Sequence, residues 1–184
     1  MNLNQTEKQG WVGVFCGASE DVSPEFFELA TEVGTLLGNM GLGLVYGGGR
    51  CGMMGKLADA ALEAGAEVCG VIPRALLVRE VAYTEVTELI VSENLFDRKQ
   101  LLIEKSDMFL ILPGGLGTLD EFFEVITHSN LGYHSKPTVI FDYKGFYSQM
   151  INWLHQVGDW GFIKRPTEQF VIARNIEDIK VFLS

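Results

Sequence analysis

The sequence predicts an α/β fold in which a parallel sheet of about six or seven strands carries helices on both faces. Two observations predict it. Short apolar runs rich in Val, Ile, Leu and Phe alternate along the chain with segments whose apolar residues recur at helical spacing. Several of these runs also end directly in glycine-rich loops, the usual ligand side of such a sheet.

Residues 12–16 form the first apolar run and stop at Gly17-Ala18-Ser19, as a buried parallel strand entering a loop does. Ser23-Pro24 is a helix start signal, and Phe27, Ala30, Val33 and Leu37 follow at helical spacing as far as Gly41. A second strand is expected over residues 42–46, a glycine loop over 47–49, a helix over 53–64 ending at Gly65, and a third strand over 68–72 stopped by Pro73. A less regular stretch carries a short strand over 85–91 and a helix over 95–106 before the strongly apolar residues 108–112. A helix over 119–129, a strand over 138–141, a helix over 146–157 and a final strand (170–173) and helix (176–182) continue the alternation. Strands separated by helices need crossover connections, so the expected architecture is a Rossmann-like three-layer sandwich. The length of 184 residues fits one domain spanning 1–184, with residues 1–10 expected to be flexible.

Composition narrows the function. With 47% hydrophobic and 21% charged residues the chain is of ordinary globular type. Asp and Glu outnumber Lys and Arg by 24 to 14, a formal charge of -10 that disfavours nucleic acid and anionic membranes as partners, so any phosphate must be held locally. No window is long and apolar enough for a membrane span, and residues 1–10 lack the sections of a signal peptide, so a cytoplasmic location is expected. Cys16, Cys51 and Cys69 are odd in number and far apart, which fits reduced thiols. There is no CxxC pair, and His128, His134 and His155 make no ligand spacing, so neither a metal nor a cofactor is expected.

Two loops carry the chemistry. GGGRCGMMG at 47–55 joins a strand to a helix, and Gly47, Gly48 and Gly49 either let backbone amides approach an anion at the helix start or only make a tight turn and close packing. It lacks the Gly-Lys-Ser/Thr of a nucleotide-triphosphate loop, and no acid sits where a dinucleotide fold places its ribose ligand. PGGLGT at 113–118 is the second strand-to-helix loop, with Gly114, Gly115, Leu116 and Gly117 leading to Thr118, which is placed to cap the helix or to donate to phosphate. Glu121 follows in TLDE, a spacing that is equally a capping box. Arg98-Lys99 opens the preceding helix, either as a solvated charge pair or with the guanidinium forked onto a phosphate or carboxylate.

Taken together, PGGLGTLDE at 113–121, GGGRCGMMG at 47–55 and Arg98-Lys99 resemble the Lonely Guy family of cytokinin-activating phosphoribohydrolases, long labelled lysine decarboxylases. The likeness runs from about residue 12 to residue 172, through VFCGAS at 14–19, GVIPRAL at 70–76 and LGYHSKP at 131–137. The resemblance implies hydrolysis of the N-glycosidic bond of a nucleoside 5′-monophosphate, with Arg98 and Glu121 as the essential pair. It further implies substrate contacts at Glu80, Lys99, Gly115 to Thr118 and Thr127, phosphate in the glycine-rich loop region, and a homodimer with the site near the subunit interface. The chain departs from the family pattern at Phe96, where a His is common, and at Thr127-His128-Ser129-Asn130, where the family has a Trp and a Gln. Three rival readings are an AMP or general purine nucleotide nucleosidase, a non-catalytic binder of nucleotide or molybdenum cofactor, and the old decarboxylase. The last needs a Schiff-base lysine with an acidic partner for the pyridinium nitrogen, and no lysine here has that setting.

Overall fold

The strands are β1 (Trp11–Phe15), β2 (Gly43–Tyr46), β3 (Val68–Pro73), β4 (Glu88–Ser92), β5 (Met108–Ile111), β6 (Thr138–Phe141) and β7 (Val171–Ala173). They form one sheet of seven in the order β4-β3-β2-β1-β5-β6-β7, every neighbour parallel. The structure is a computed structural model and describes residues 10–77, 82–164 and 168–184. The helices are α1 (Pro24–Asn39), α2 (Gly52–Glu63), α3 (Leu95–Lys105), α4 (Leu116–Asn130), α5 (Ser148–Asp159) and α6 (Ile176–Leu183). None of the described helices is long and apolar enough to cross a membrane.

The five inner strands are buried on both sides because successive residues serve different layers. Val14, Leu44, Val68, Leu110 and Val139 pack with Leu29, Val33 and Leu37 of α1, Leu57 and Ala61 of α2, and Ile179 of α6. Their neighbours Phe15, Val45, Cys69, Phe109, Ile111 and Ile140 pack on the other face with Leu102 of α3, Phe122 and Val125 of α4, and Ile151 and Leu154 of α5. A strand with an apolar residue at every position is what a sheet sandwiched between two helical layers requires.

Strand order positions the site. The chain steps outward from β1 through β2 and β3 to β4, then crosses back to the far side of β1 for β5. Crossovers leaving in opposite directions open a crevice at the carboxyl ends of β1 and β5, where ligands bind in such sheets.

Element ends differ from expectation where turn chemistry intervenes. The fifth helix starts at Ser148 rather than at 146, because Tyr143–Gly145 form a 3-10 turn with Lys144 and Gly145 at positive φ. Buried Asp142 then accepts from the Tyr147 amide at 2.8 Å and the Ser148 hydroxyl at 2.6 Å. The start of α3 is set by Asn94, whose side-chain oxygen accepts from the amides of Phe96 (2.8 Å) and Asp97 (3.0 Å). Asn94→Ala is expected to lower unfolding stability by about 1 kcal/mol, the usual cost of losing such a cap, as read by urea denaturation. An unchanged midpoint would show that the cap is replaced by water.

Candidate active site

A cavity of about 530 Å³ opens over the carboxyl ends of β1 and β5. Its floor is the end of β1 and the loop Cys16-Gly17-Ala18-Ser19, and one wall is Pro113-Gly114-Gly115 running into α4. The two loops are tied together: the Gly17 amide donates to the Pro113 carbonyl at 3.1 Å, and the Met53 amide at the start of α2 donates to the Gly17 carbonyl at 3.0 Å. From behind, the buried Tyr147 phenol donates to the Leu112 carbonyl at 2.9 Å, and burial pushes that phenol well above its ordinary pKa.

The geometry corrects the expected start of α4. The helix begins at Leu116, not at residue 119, and its N-cap is Gly115 with no side-chain cap. Thr118 is therefore not a cap: it lies in the first turn, buried, with its side chain in the space that a Cβ on Gly114 would need. With the N-cap three residues earlier, Glu121 falls in the second turn and the capping box does not form. First-turn amides have no acceptor inside their helix, and Gly115, Gly117 and Thr118 line the cavity, an arrangement suited to an anion.

Glu121 turns to α3 instead. Its Oε1 lies 3.1 Å from Arg98 Nη1, and the two side chains are only 9% and 12% exposed. The guanidinium is held on two further sides, Nε donating to the Val71 carbonyl at 3.1 Å and Nη2 reaching the Gly47 carbonyl at 3.5 Å. It thus spans the ends of β3 and β2 and the second turn of α4, and both charged groups face the cavity.

The other sequence-derived candidates divide. Gly47 lines the cavity beside Arg98. Gly48 and Gly49 do not: Gly48, at φ 76°, packs against Val71 and Ile72 and accepts from the Tyr83 amide at 3.0 Å, while Gly49 bridges Ala82. These two glycines form the turn that follows β2. Lys99 points away from the cavity, its Nζ 2.9 Å from Glu124 Oε2 and 3.3 Å from Asp120 Oδ2. Leu116 is 88% exposed at the helix start, and Thr127 is exposed on α4. Glu80 lies outside the described residues.

Sequence reasoning missed the apolar wall of Val22, Phe26, Met53, Met54 and Phe146. The sequence held no separate signal for it, because Phe26 and Phe27 both pack against one core cluster and Phe26 reads as an ordinary core residue. Cys16 also lines the cavity, and burial, then the Glu121 carboxylate, push its thiol well above the usual range. Iodoacetamide at pH 8 is accordingly expected to leave Cys16 unmodified in the folded protein and to label it in urea, as read by peptide mass spectrometry. Equal labelling in both states would contradict the placement.

The family model described as "Possible lysine decarboxylase" matches residues 54–180. The cytokinin riboside 5′-monophosphate phosphoribohydrolase of Mycobacterium tuberculosis is 42% identical over 169 residues, covering 91% of this chain and 89% of that protein. The chain belongs to the Lonely Guy family. A cytokinin riboside 5′-monophosphate phosphoribohydrolase of Arabidopsis thaliana is 38% identical over 160 residues, 87% of this chain and 75% of that protein. Among solved structures, the molybdenum cofactor binding protein of Rippkaea orientalis superposes with a TM-score of 0.70 at 22% identity, over 97% of this chain and 100% of that one, a likeness of fold. Against the Lonely Guy pattern, Phe96 in place of the common His is 80% exposed, with its ring centre 6.0 Å from Lys99 Nζ. It is not part of the cavity lining.

Proposed function

We propose that this chain hydrolyses the N-glycosidic bond of a cytokinin-type nucleoside 5′-monophosphate, giving the free base and ribose 5-phosphate. The phosphate sits on Gly114 to Thr118 at the start of α4, Gly47 closes the opposite side, and the ribose lies over Glu121. Cleavage of a ribosyl–nitrogen bond develops positive charge on the sugar, which the Glu121 carboxylate stabilises while orienting the attacking water. Arg98 works by position and charge, holding Glu121 and stabilising anionic charge on the phosphate or departing base. The observation that carries this reading is the nearly buried Arg98–Glu121 pair, 3.1 Å apart, facing a cavity that also receives the glycine loop.

The chain is proposed to act as one domain, in the cytoplasm, as a homodimer. Thr127 is exposed and outside the cavity lining, so a role for it in binding belongs to the assembled dimer. The decarboxylase description finds no support in the site, because among the described residues no lysine lines the cavity. A panel of nucleoside 5′-monophosphates, with ribose 5-phosphate as readout, tests the activity. Release of isopentenyladenine from its nucleotide faster than adenine from AMP is the expected result, and no ribose 5-phosphate from any nucleotide would overturn the reading.

A further inference from the structure

The loop that leaves β5 is held one residue at a time. Pairing of β5 with β1 and β6 ends at Ile111, so Leu112 lies past the paired residues, and its carbonyl accepts from the Tyr147 phenol at 2.9 Å. The Pro113 carbonyl accepts from the Gly17 amide at 3.1 Å, and the Gly114 amide donates to the same Tyr147 oxygen. One hydroxyl thus grips the loop on both sides of a proline, a residue with no amide of its own to tie down. Tyr147 is buried and is itself fixed: its amide donates to one carboxylate oxygen of Asp142 at 2.8 Å, and the Ser148 hydroxyl donates to the other at 2.6 Å. The Asp142 amide in turn donates to the Ala173 carbonyl of β7 at 2.9 Å. Beyond Gly114 the loop opens, and at Gly115 and Gly117 nothing lies within 4 Å of where a Cβ would stand.

We propose that Tyr147 is a positioning residue for the anion loop: its hydroxyl, bonded to Leu112 and Gly114, sets the place from which Gly115, Gly117 and Thr118 present their amides to the phosphate. The proposal rests on the hydrolase reading, which puts the phosphate on this loop. Glycine-rich backbone loses much freedom when it is ordered, so an unpinned loop would give up part of its binding free energy at each encounter. A phenol suits the task because one oxygen both donates and accepts. Burial pushes its pKa up, so the proton that it gives to Leu112 stays in place at neutral pH. Tyr147 does not line the cavity, whereas its neighbour Phe146 does, the two rings meeting edge to face with centres 4.8 Å apart. The hydroxyl therefore acts through the loop and not on the ligand. Glu121 is held separately, by Arg98 of α3 at 3.1 Å, so loss of the hydroxyl should reach binding before chemistry.

The test is Tyr147→Phe in the full chain, which removes one oxygen and keeps the ring. KM for a nucleoside 5′-monophosphate is expected to rise about five- to tenfold with kcat changed less than about twofold, the pattern for loss of binding shared by ground and transition states. The affinity for ribose 5-phosphate, titrated by calorimetry, should fall by the same factor, and the Gly114 amide should exchange faster with solvent by NMR. A lower thermal midpoint with wild-type KM and wild-type ribose 5-phosphate affinity would make the hydroxyl a core hydrogen bond only and overturn the proposal. A fall in kcat at unchanged KM would overturn it as well, by placing Tyr147 in the chemical step. Should Tyr147→Phe not fold, Ser148→Ala, which loosens the hold of Asp142 and leaves the phenol intact, carries the same comparison with a smaller rise in KM. If the wild type binds ribose 5-phosphate but releases none from any nucleotide, the hydrolase reading fails while the binding comparison still decides the role of Tyr147. If the wild type does not bind ribose 5-phosphate, the phosphate assignment falls and the proposal with it.

Discussion

Glu121→Gln is expected to reduce kcat by about 10²–10⁴-fold and to lower the thermal midpoint by less than Arg98→Ala does. The amide keeps the volume of the side chain and an oxygen toward Arg98, so packing in the second turn of α4 survives. What disappears is the negative charge facing the sugar as positive charge develops on it. Because Gly115 rather than Thr118 caps the helix, no cap bond is lost, and the stability cost is that of leaving the Arg98 guanidinium to the carbonyls of Val71 and Gly47 and a neutral amide. KM should change little, since the phosphate is assigned to the loop before the helix. Ribose 5-phosphate release and a thermal melt on the same preparation check it. Turnover within about threefold of wild type would remove Glu121 from the chemistry, whatever the melt showed.

Arg98→Ala carries the second large effect, and here activity and stability fall together. The kcat/KM is expected to drop by about 10²–10³-fold, the range for loss of one well-placed electrostatic donor. Stability is expected to fall by about 3–5 kcal/mol at neutral pH, because a nearly buried carboxylate is left without its cation. The carbonyls of Val71 and Gly47 lose a donor as well, which adds to the cost. Arg98→Lys keeps the charge but cannot reach three acceptors at once, so it should recover stability more than activity. Urea denaturation beside steady-state kinetics separates the two losses. A variant as stable as the wild type would mean that water replaces the guanidinium and that the pair is less shielded than its 12% and 9% exposure implies.

The sheet and its helices were legible in the sequence because the apolar runs of β1, β5 and β6 have no other reading in a chain of this length. Strand order was not, since periodicity marks elements and not their neighbours. The glycine loop at 113–118 was found from the residues alone, but its junction with α4 was misplaced. Leu116-Gly117 resembles loop sequence, and a threonine followed by an acid three residues later resembles a cap, so local propensity pointed to a start three residues late. In the fold Thr118 instead packs over Gly114 from within the first turn, and Gly115 is the N-cap. Arg98 and Glu121 were singled out by family likeness rather than by spacing, being 23 residues apart in sequence and joined only by the β5 crossover. Gly48 and Gly49 illustrate the reverse case: in a loop that reads as an anion cradle, one glycine packs against the third strand and the next bridges Ala82.

The Asn94 cap has an effect beyond stability, because it fixes the angular phase of α3. Neighbouring residues on a helix point about 100° apart. Counting from that cap, the fourth residue reaches the cavity and the fifth reaches α4. One residue inserted between Asn94 and Arg98 would turn the guanidinium off Glu121, although the composition of the helix would scarcely change. The same insertion before Asn94 would only lengthen a turn. The spacing from Asn94 to Arg98 therefore works as a ruler, and chain-length variation in this part of the protein is expected to collect on the amino-terminal side of the asparagine.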